Sequence, residues 1–311
     1  MTTSSNAVLE PAVRDAREAA PAALSPTRPL YWSVRRELWE NRSIYLAPLG
    51  VAVFVVVGLV IHGITMPSHL PSMLGRETGS LPSSAAMYRM MALLMMVTAF
   101  VVGTFYCVEA LSGERRDRSI LFWKSLPVSD LTTVLAKASI PLVVLPLVTF
   151  AAIVATQLSV LLLSAVALLV QGQGVAQFWN GLQLPTLWVK LPYALAAIAL
   201  WHAPIYAFLL MVSGWARRTA ALWAVLPLLA IGLFEKATMN TLRVASFVEY
   251  RLVGWYGAAF DVHAGEHTPF HPLTSLAPGR FLGTPGLWIG LAVAALFLAA
   301  AVRLRRYREP S

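Results

Sequence analysis

The sequence predicts an all-α integral membrane protein with six transmembrane helices, an N-terminal interfacial helix, and short re-entrant or interfacial helices before the last span. Three observations carry that class. Hydrophobic residues make up 58% of the 311 and charged residues only 13%, with a mean hydropathy of +0.66; a soluble chain carries roughly 25% charged residues. Six apolar runs approach or exceed the roughly 20 residues that cross a bilayer as helix. Basic residues flank those runs, and they do so unevenly.

Residues 1–29 are polar, Ala-rich and Pro-punctuated, with Glu10, Asp15 and Glu18 among them. They lack the apolar core of a signal peptide and are expected to form a disordered cytoplasmic tail. Residues 30–43 follow as a helix. At 100° per residue Leu30, Tyr31, Val34 and Leu38 share one arc, while Arg36, Glu37 and Glu40 lie away from it. Trp32 and Trp39 flank the arc, as amphipathic rings do at headgroup depth, with Arg35 and Arg36 between them. The reading is a helix lying on the inner leaflet; a plain juxtamembrane flank is the alternative.

The spans are read as Ile44–Ile64, Ala86–Val108, Ala138–Val170, Leu191–Val212, Thr219–Phe234 and Gly286–Val302. An even number puts both termini on one side. Seventeen of the 24 Lys and Arg share that side; Arg76, Arg89, Lys190, Lys236, Arg243, Arg251 and Arg280 are the seven on the other. The positive-inside rule therefore places both termini, including the 306–311 tail, in the cytoplasm. It also accounts for the net charge of +9 without nucleic acid, because the basic residues are spread as short helix flanks.

The fifth run is short. Thr219–Phe234 gives a helix of roughly 24 Å against a hydrocarbon core of about 30 Å, with Pro227 in its middle. The outer segment 235–285 is apolar at intervals, through Phe247, Leu252, Val253, Trp255, Tyr256 and Phe260. A short span followed by such sequence predicts helices dipping into the outer leaflet, where protein or a watery cavity must cover their backbone. Trp255 and Tyr256 are expected to be partly shielded from water.

Catalytic and metal constellations are not evident. Leu111-Ser112-Gly113-Glu114-Arg115 is similar to the signature loop of ABC-type ATPases, yet G-x-x-x-x-G-K-[ST] occurs nowhere and no glycine precedes a lysine. His263, His267 and His271 are close in sequence, but Gly265, Pro269 and Pro272 break any helix that would align them. Cys107 is a lone cysteine, expected to be a small buried hydrophobe. His62 and His202 are read as hydrogen-bonded or interfacial residues. The apolar runs hold no interior Asp, Glu or Lys of the kind an ion-coupled carrier needs. Gly286 and Gly290 are spaced for close helix approach and give weak support to dimer packing. The expectation is a chain without enzymatic activity, cofactor or metal of its own.

The charged loop 109–137 is the most specific stretch. Glu114, Arg115, Arg116, Asp117 and Arg118 precede Ile120, Leu121, Phe122 and Trp123, and Lys124 follows. Four consecutive apolar residues on a basic connector point either to a docking helix or to a solvated positive-inside loop. The segment from Glu114 to Asp130 resembles the cytoplasmic loop of bacterial ABC-2 type transporter permeases, and it follows the second span, as in that family. An interfacial helix before the first span, six spans and a long outer segment match as well, so the likeness covers about residues 30–305. The resemblance implies a transmembrane permease subunit of an ATP-driven exporter in the bacterial inner membrane. By position, Arg115 to Ser125 would be its coupling helix, docked on a separate ATP-binding subunit that holds ATP and Mg, with Leu126-Pro127 ending it and Ser129 capping the third span. It also implies a second permease copy, as homodimer or heterodimer. A non-transporting membrane scaffold that binds an ATPase is the alternative.

Overall fold

The computed structural model describes residues 27–65, 83–116, 128–170, 172, 184–216, 219–261 and 275–307. Outside the described residues lie most of the N-terminal tail, the Arg76 loop, Asp117–Pro127, Arg217 and Arg218, the three outer histidines and residues 308–311. The rest is almost entirely helical, and six helices are long and apolar enough to cross a membrane. This is the architecture of a multi-pass membrane protein.

Helix α1 (Thr27–Glu40) turns at Asn41–Arg42 into α2 (Ser43–Thr65). The turn is closed by Asn41, whose backbone N–H donates to the Glu37 carbonyl at 2.9 Å. Helix α3 (Ser83–Glu109) returns to the end of the bundle where α2 begins and is followed by the single turn α4 (Ser112–Arg116). Next come α5 (Asp130–Ser139), a π-helical segment (Ile140–Val144) and α6 (Leu145–Val170). These three are continuous, so the third helical stretch begins eight residues before the predicted Ala138. Ser129 caps it as expected: its Oγ accepts from the Thr132 N–H at 3.1 Å. The π segment coincides with Pro141, which has no N–H to give the ladder; Leu145 donates instead to the carbonyl of Ile140.

Helix α7 (Leu184–Trp215) is the most buried of the six and packs against α3, α6 and, most extensively, α11 (Pro285–Tyr307). Helix α8 (Ala220–Met239) lies at the edge, touching mainly α7 and α9 (Arg243–Ala259). At 20 residues, or about 30 Å, α8 is a full-length span. This corrects the short fifth span read from Thr219–Phe234. The sequence reading stopped at the charges of Glu235 and Lys236, whereas the helix runs through both. Glu235 then organises the turn, accepting from the backbone N–H groups of Arg243 at 2.7 Å and Val244 at 2.9 Å at the start of α9.

The outer segment is largely ordered secondary structure. After α9, β1 (Phe260–Asp261) pairs antiparallel with β2 (Ser275–Leu276), Phe260 opposite Leu276, and α10 (Pro278–Gly283) leads into α11. Helices are therefore present before the last span, at α9 and α10. Trp255, Ala259, Phe260 and Phe281 are buried against Leu191, Ala194 and Trp201 of α7. Trp255 is shielded as expected and Tyr256 partly so.

The small-residue pair on α11 is occupied within the chain. A Cβ on Gly286 would clash with the Tyr250 hydroxyl, and one on Gly290 would lie 2.7 Å from the Arg251 guanidinium. Arg251 donates to the Gly286 carbonyl at 2.9 Å and lies 5.3 Å from the Trp201 ring centroid. The spacing serves the α9–α11 contact, so the dimer support drawn from it falls away.

Gly103 lies at a close crossing of α3 with α7 and the π segment. A Cβ there would meet Tyr206 at 3.1 Å, Leu145 at 3.2 Å and Pro141 at 3.4 Å, whereas one on Gly58 of α2 would meet nothing within 4 Å. Gly103→Val is expected to lower the thermal midpoint of the solubilised chain, at a cost of about 1–3 kcal/mol for overpacking. Gly58→Val in the same detergent should leave it near wild type.

Candidate functional site

At the end of the bundle where α1 and α4 meet, a group of charged side chains is buried. Glu37 is 1% exposed, Lys137 2%, Arg305 7% and Glu114 8%. Each comes from a different element. Glu37 sits on α1, one turn after Val34, which packs on the apolar cluster that includes Ala138 and Ile140, and α1 lies against α5. Lys137 is on α5, three residues before the π segment. Arg305 is in the last turn of α11, where a cation is favoured by the helix dipole.

The contacts form one connected network. Lys137 Nζ donates to Glu37 Oε1 at 2.8 Å and lies 3.1 Å from Glu114 Oε1. The Tyr106 hydroxyl of α3 donates to Glu37 Oε2 at 2.8 Å. Arg36 Nη2 reaches Glu37 Oε1 at 2.9 Å and Glu114 Oε1 at 3.1 Å. Arg305 Nη1 pairs with Glu114 Oε2, and its Nε donates to Asp130 Oδ1 at 3.0 Å. Among the described residues Glu37, Glu114 and Asp130 face Arg36, Lys137 and Arg305, and Glu40 adds a further carboxylate 3.6 Å from Arg36 Nε. Burial opposes the charge of Arg36, but the carboxylates of Glu37, Glu40 and Glu114 together hold its pKa above the ordinary arginine value. Partial burial raises the Glu40 carboxyl above its usual range, against the lowering pull of Arg36.

The two feet of the charged loop end in this network. Glu114 is on α4, before the loop, and Asp130 opens α5, after it; the Arg305 guanidinium holds both. Ser213 of α7 fixes the turn just ahead of α4, its Oγ accepting from the backbone N–H groups of Leu111 and Ser112, each at 3.0 Å. The loop therefore springs from a rigid base tied to α1, α3, α5, α7 and α11.

Among the predicted docking residues, Glu114 turns into the protein rather than outward, and Arg116 is exposed. Arg115 lies within α4. Asp117, Arg118, Ile120, Leu121, Phe122, Trp123 and Lys124 are outside the described residues. On α1, Trp32 and Trp39 are 57% and 70% exposed, and the Arg35 guanidinium carbon lies 5.1 Å from each ring centroid. The predicted apolar arc needs correction: Leu30 and Tyr31 face outward, while Val34, Leu38 and Glu37 face in. Glu37 was assigned to the polar side because a carboxylate is read as solvated. Its partners, distant in sequence, make the inward position favourable.

Sequence reasoning missed Glu37, Tyr106, Lys137 and Arg305 as a set. His202 is a hydrogen-bonded histidine, its ring nitrogens facing the carbonyls of Ile198 at 2.9 Å and Leu252 at 3.2 Å. Cys107 is fully buried. Among the described residues no group of His, Cys, Asp and Glu gathers as metal ligands. No protein-family model, curated protein or solved structure matches the chain.

Removing one member of a buried ion pair leaves the other charge uncompensated, which costs about 3–5 kcal/mol, whereas neutralising both costs less. Glu37→Gln is therefore expected to lower the thermal midpoint more than the double change Glu37→Gln with Lys137→Gln. Scanning unfolding of the solubilised variants side by side checks the order.

Proposed function

We propose that the chain is the transmembrane permease subunit of an ATP-driven exporter of the ABC-2 type, working with a separate ATP-binding subunit. The observation that carries this reading is the anchoring of the charged loop: Arg305 clasps Glu114 and Asp130, the residues at its two ends. A loop meant only to connect two spans needs no such base. A loop that receives a push from a partner does, because displacement of its tip must reach the spans instead of being lost in its stem.

The likeness of Glu114 to Asp130 to the permease loop supplies the partner's class, and the six apolar helices fit a membrane subunit. In this reading Ile120, Leu121, Phe122 and Trp123 fill a cleft of the ATPase, and Arg116 and Arg118 meet acids at its rim. Nucleotide-driven closure moves the loop. The buried ion pairs carry the motion to α1 and α11, and Ser213 carries it to α7. Two permeases, identical or related, flank the pathway, which opens toward the outer segment. The 17-to-7 division of basic residues supports both termini lying in the cytoplasm, within a bacterial inner membrane.

Buried aromatic anchors in such interfaces contribute about 2 kcal/mol or more each. The double change Phe122→Ala and Trp123→Ala is therefore expected to strip the copurifying ATPase from the permease, while the permease itself still inserts and keeps its thermal midpoint. Retention of the ATPase at wild-type stoichiometry, with normal transport, overturns the docking assignment. A wild-type complex without substrate-responsive ATP hydrolysis speaks instead for a scaffold.

Orientation is checked independently by cysteine labelling in a Cys107→Ala background. Ser119→Cys should be protected from an impermeant maleimide in intact cells and Ser246→Cys should react. Labelling at Ser119→Cys in intact cells reverses the topology.

A further inference from the structure

Helix α11 ends with Arg303, Arg305 and Arg306, and only Arg305 turns into the buried ion network; the other two are exposed. On their side an open cavity of about 680 Å³ lies between the end of α7 and the last turns of α11, lined by Trp215, Ala300, Arg303, Leu304 and Tyr307. Its floor is apolar. Among the described residues its one charged lining residue is a cation. The Tyr307 ring sits between two guanidiniums, 5.9 Å from Arg303 and 5.6 Å from Arg306. Arg303 lies roughly 27 Å along the helix from Pro285, by 1.5 Å per residue, close to the hydrocarbon thickness of about 30 Å. That places its guanidinium at headgroup depth in a membrane that α11 crosses.

We propose that this cavity binds one anionic phospholipid, with the phosphate at Arg303 and Arg306 and the glycerol backbone and first methylenes on Trp215, Ala300 and Leu304. The chemistry of the lining favours a lipid over a free anion. A soluble phosphate would satisfy the charge and leave the apolar floor wetted, whereas a lipid covers both at once. It also favours an anionic over a zwitterionic headgroup, because a second cation on the ligand would sit beside the Arg303 and Arg306 guanidiniums. The site lies on the outer side of α11, opposite the face that holds Arg305, so an occupant there braces the helix that clasps the loop. The inference stands on the membrane-spanning fold alone and is independent of the exporter reading.

Native mass spectrometry of the full-length chain in detergent, titrated with phosphatidylglycerol or phosphatidylcholine of matched acyl chains, tests it. The first phosphatidylglycerol should bind roughly thirtyfold more tightly than the first phosphatidylcholine, the size expected for two nearby arginines. Arg303→Gln should remove most of that preference, and Ala300→Phe, which fills the floor, should weaken binding of both lipids. Equal binding of the two lipids to the wild-type chain overturns the proposal, as does an unchanged preference in a folded Arg303→Gln variant. Displacement of bound phosphatidylglycerol by millimolar inorganic phosphate would show that the site recognises a free anion, and would overturn the lipid assignment as well.

Discussion

The arrangement at the loop-bearing end of the molecule depends on the Arg305 guanidinium, which holds Glu114 and Asp130 together. Burying a charge costs several kcal/mol per ion, even after relaxation. The cluster is tolerable because every charge in it has an opposite partner at hydrogen-bond distance and because Tyr106 satisfies the remaining oxygen of Glu37. Such a network adds little to net stability relative to apolar packing. What it supplies is geometry: five elements meet in one relative position, since any slide of α1, α5 or α11 separates a buried pair.

The opposite end is built on different physics. There the contacts are aromatic and backbone-directed: Tyr193 donates to the Ala259 carbonyl at 3.0 Å, Trp201 and Tyr250 meet edge to face at 5.3 Å, and Arg280 pairs with Asp261 at 2.9 Å. Arg251 joins this layer to α11 by occupying the surface that Gly286 and Gly290 leave open. Helices α7 and α11 run between the two ends, in the most extensive contact of the bundle. One end is fixed by buried ion pairs, and the other by aromatic packing and backbone-directed hydrogen bonds.

The spans were legible because lipid demands long apolar runs, and nothing else in the chain mimics them. The limits of those spans were less legible, for one recurring reason. Charges were read as ends, and here several are internal. Glu235 is inside α8 and caps α9; Asp130 opens a helix that starts before the apolar run; Lys137 and Arg305, counted as positive flanks, are buried and neutralised. The helical arc on α1 failed in the same way at Glu37. Hydropathy assigns a carboxylate to water, and only partners a hundred residues away in the chain reverse that. Nothing in the charged stretch disclosed that Glu114 and Asp130 share an arginine.

The π-helical segment gives the third helical stretch a phase that no α-helix of the same length would have. Five residues per hydrogen-bonded ring in place of four insert about one extra residue, which is about 100° of rotation, between α5 and α6. Above the segment, Thr149, Ala152, Ile153 and Thr156 face the interior of the bundle; below it, Val134, Lys137 and Ala138 do. At 100° per residue the full set of residues buried above the segment, Leu145 to Leu168, centres roughly 140° around a single α-helical wheel from the set buried below it, Thr133 to Ala138, and the bulge brings the two closer. Shortening Ile140–Val144 by one residue would restore a regular helix and turn Lys137 away from Glu37 without touching either charge. A single-residue change in chain length at this point thus decides whether Lys137 meets the buried carboxylates.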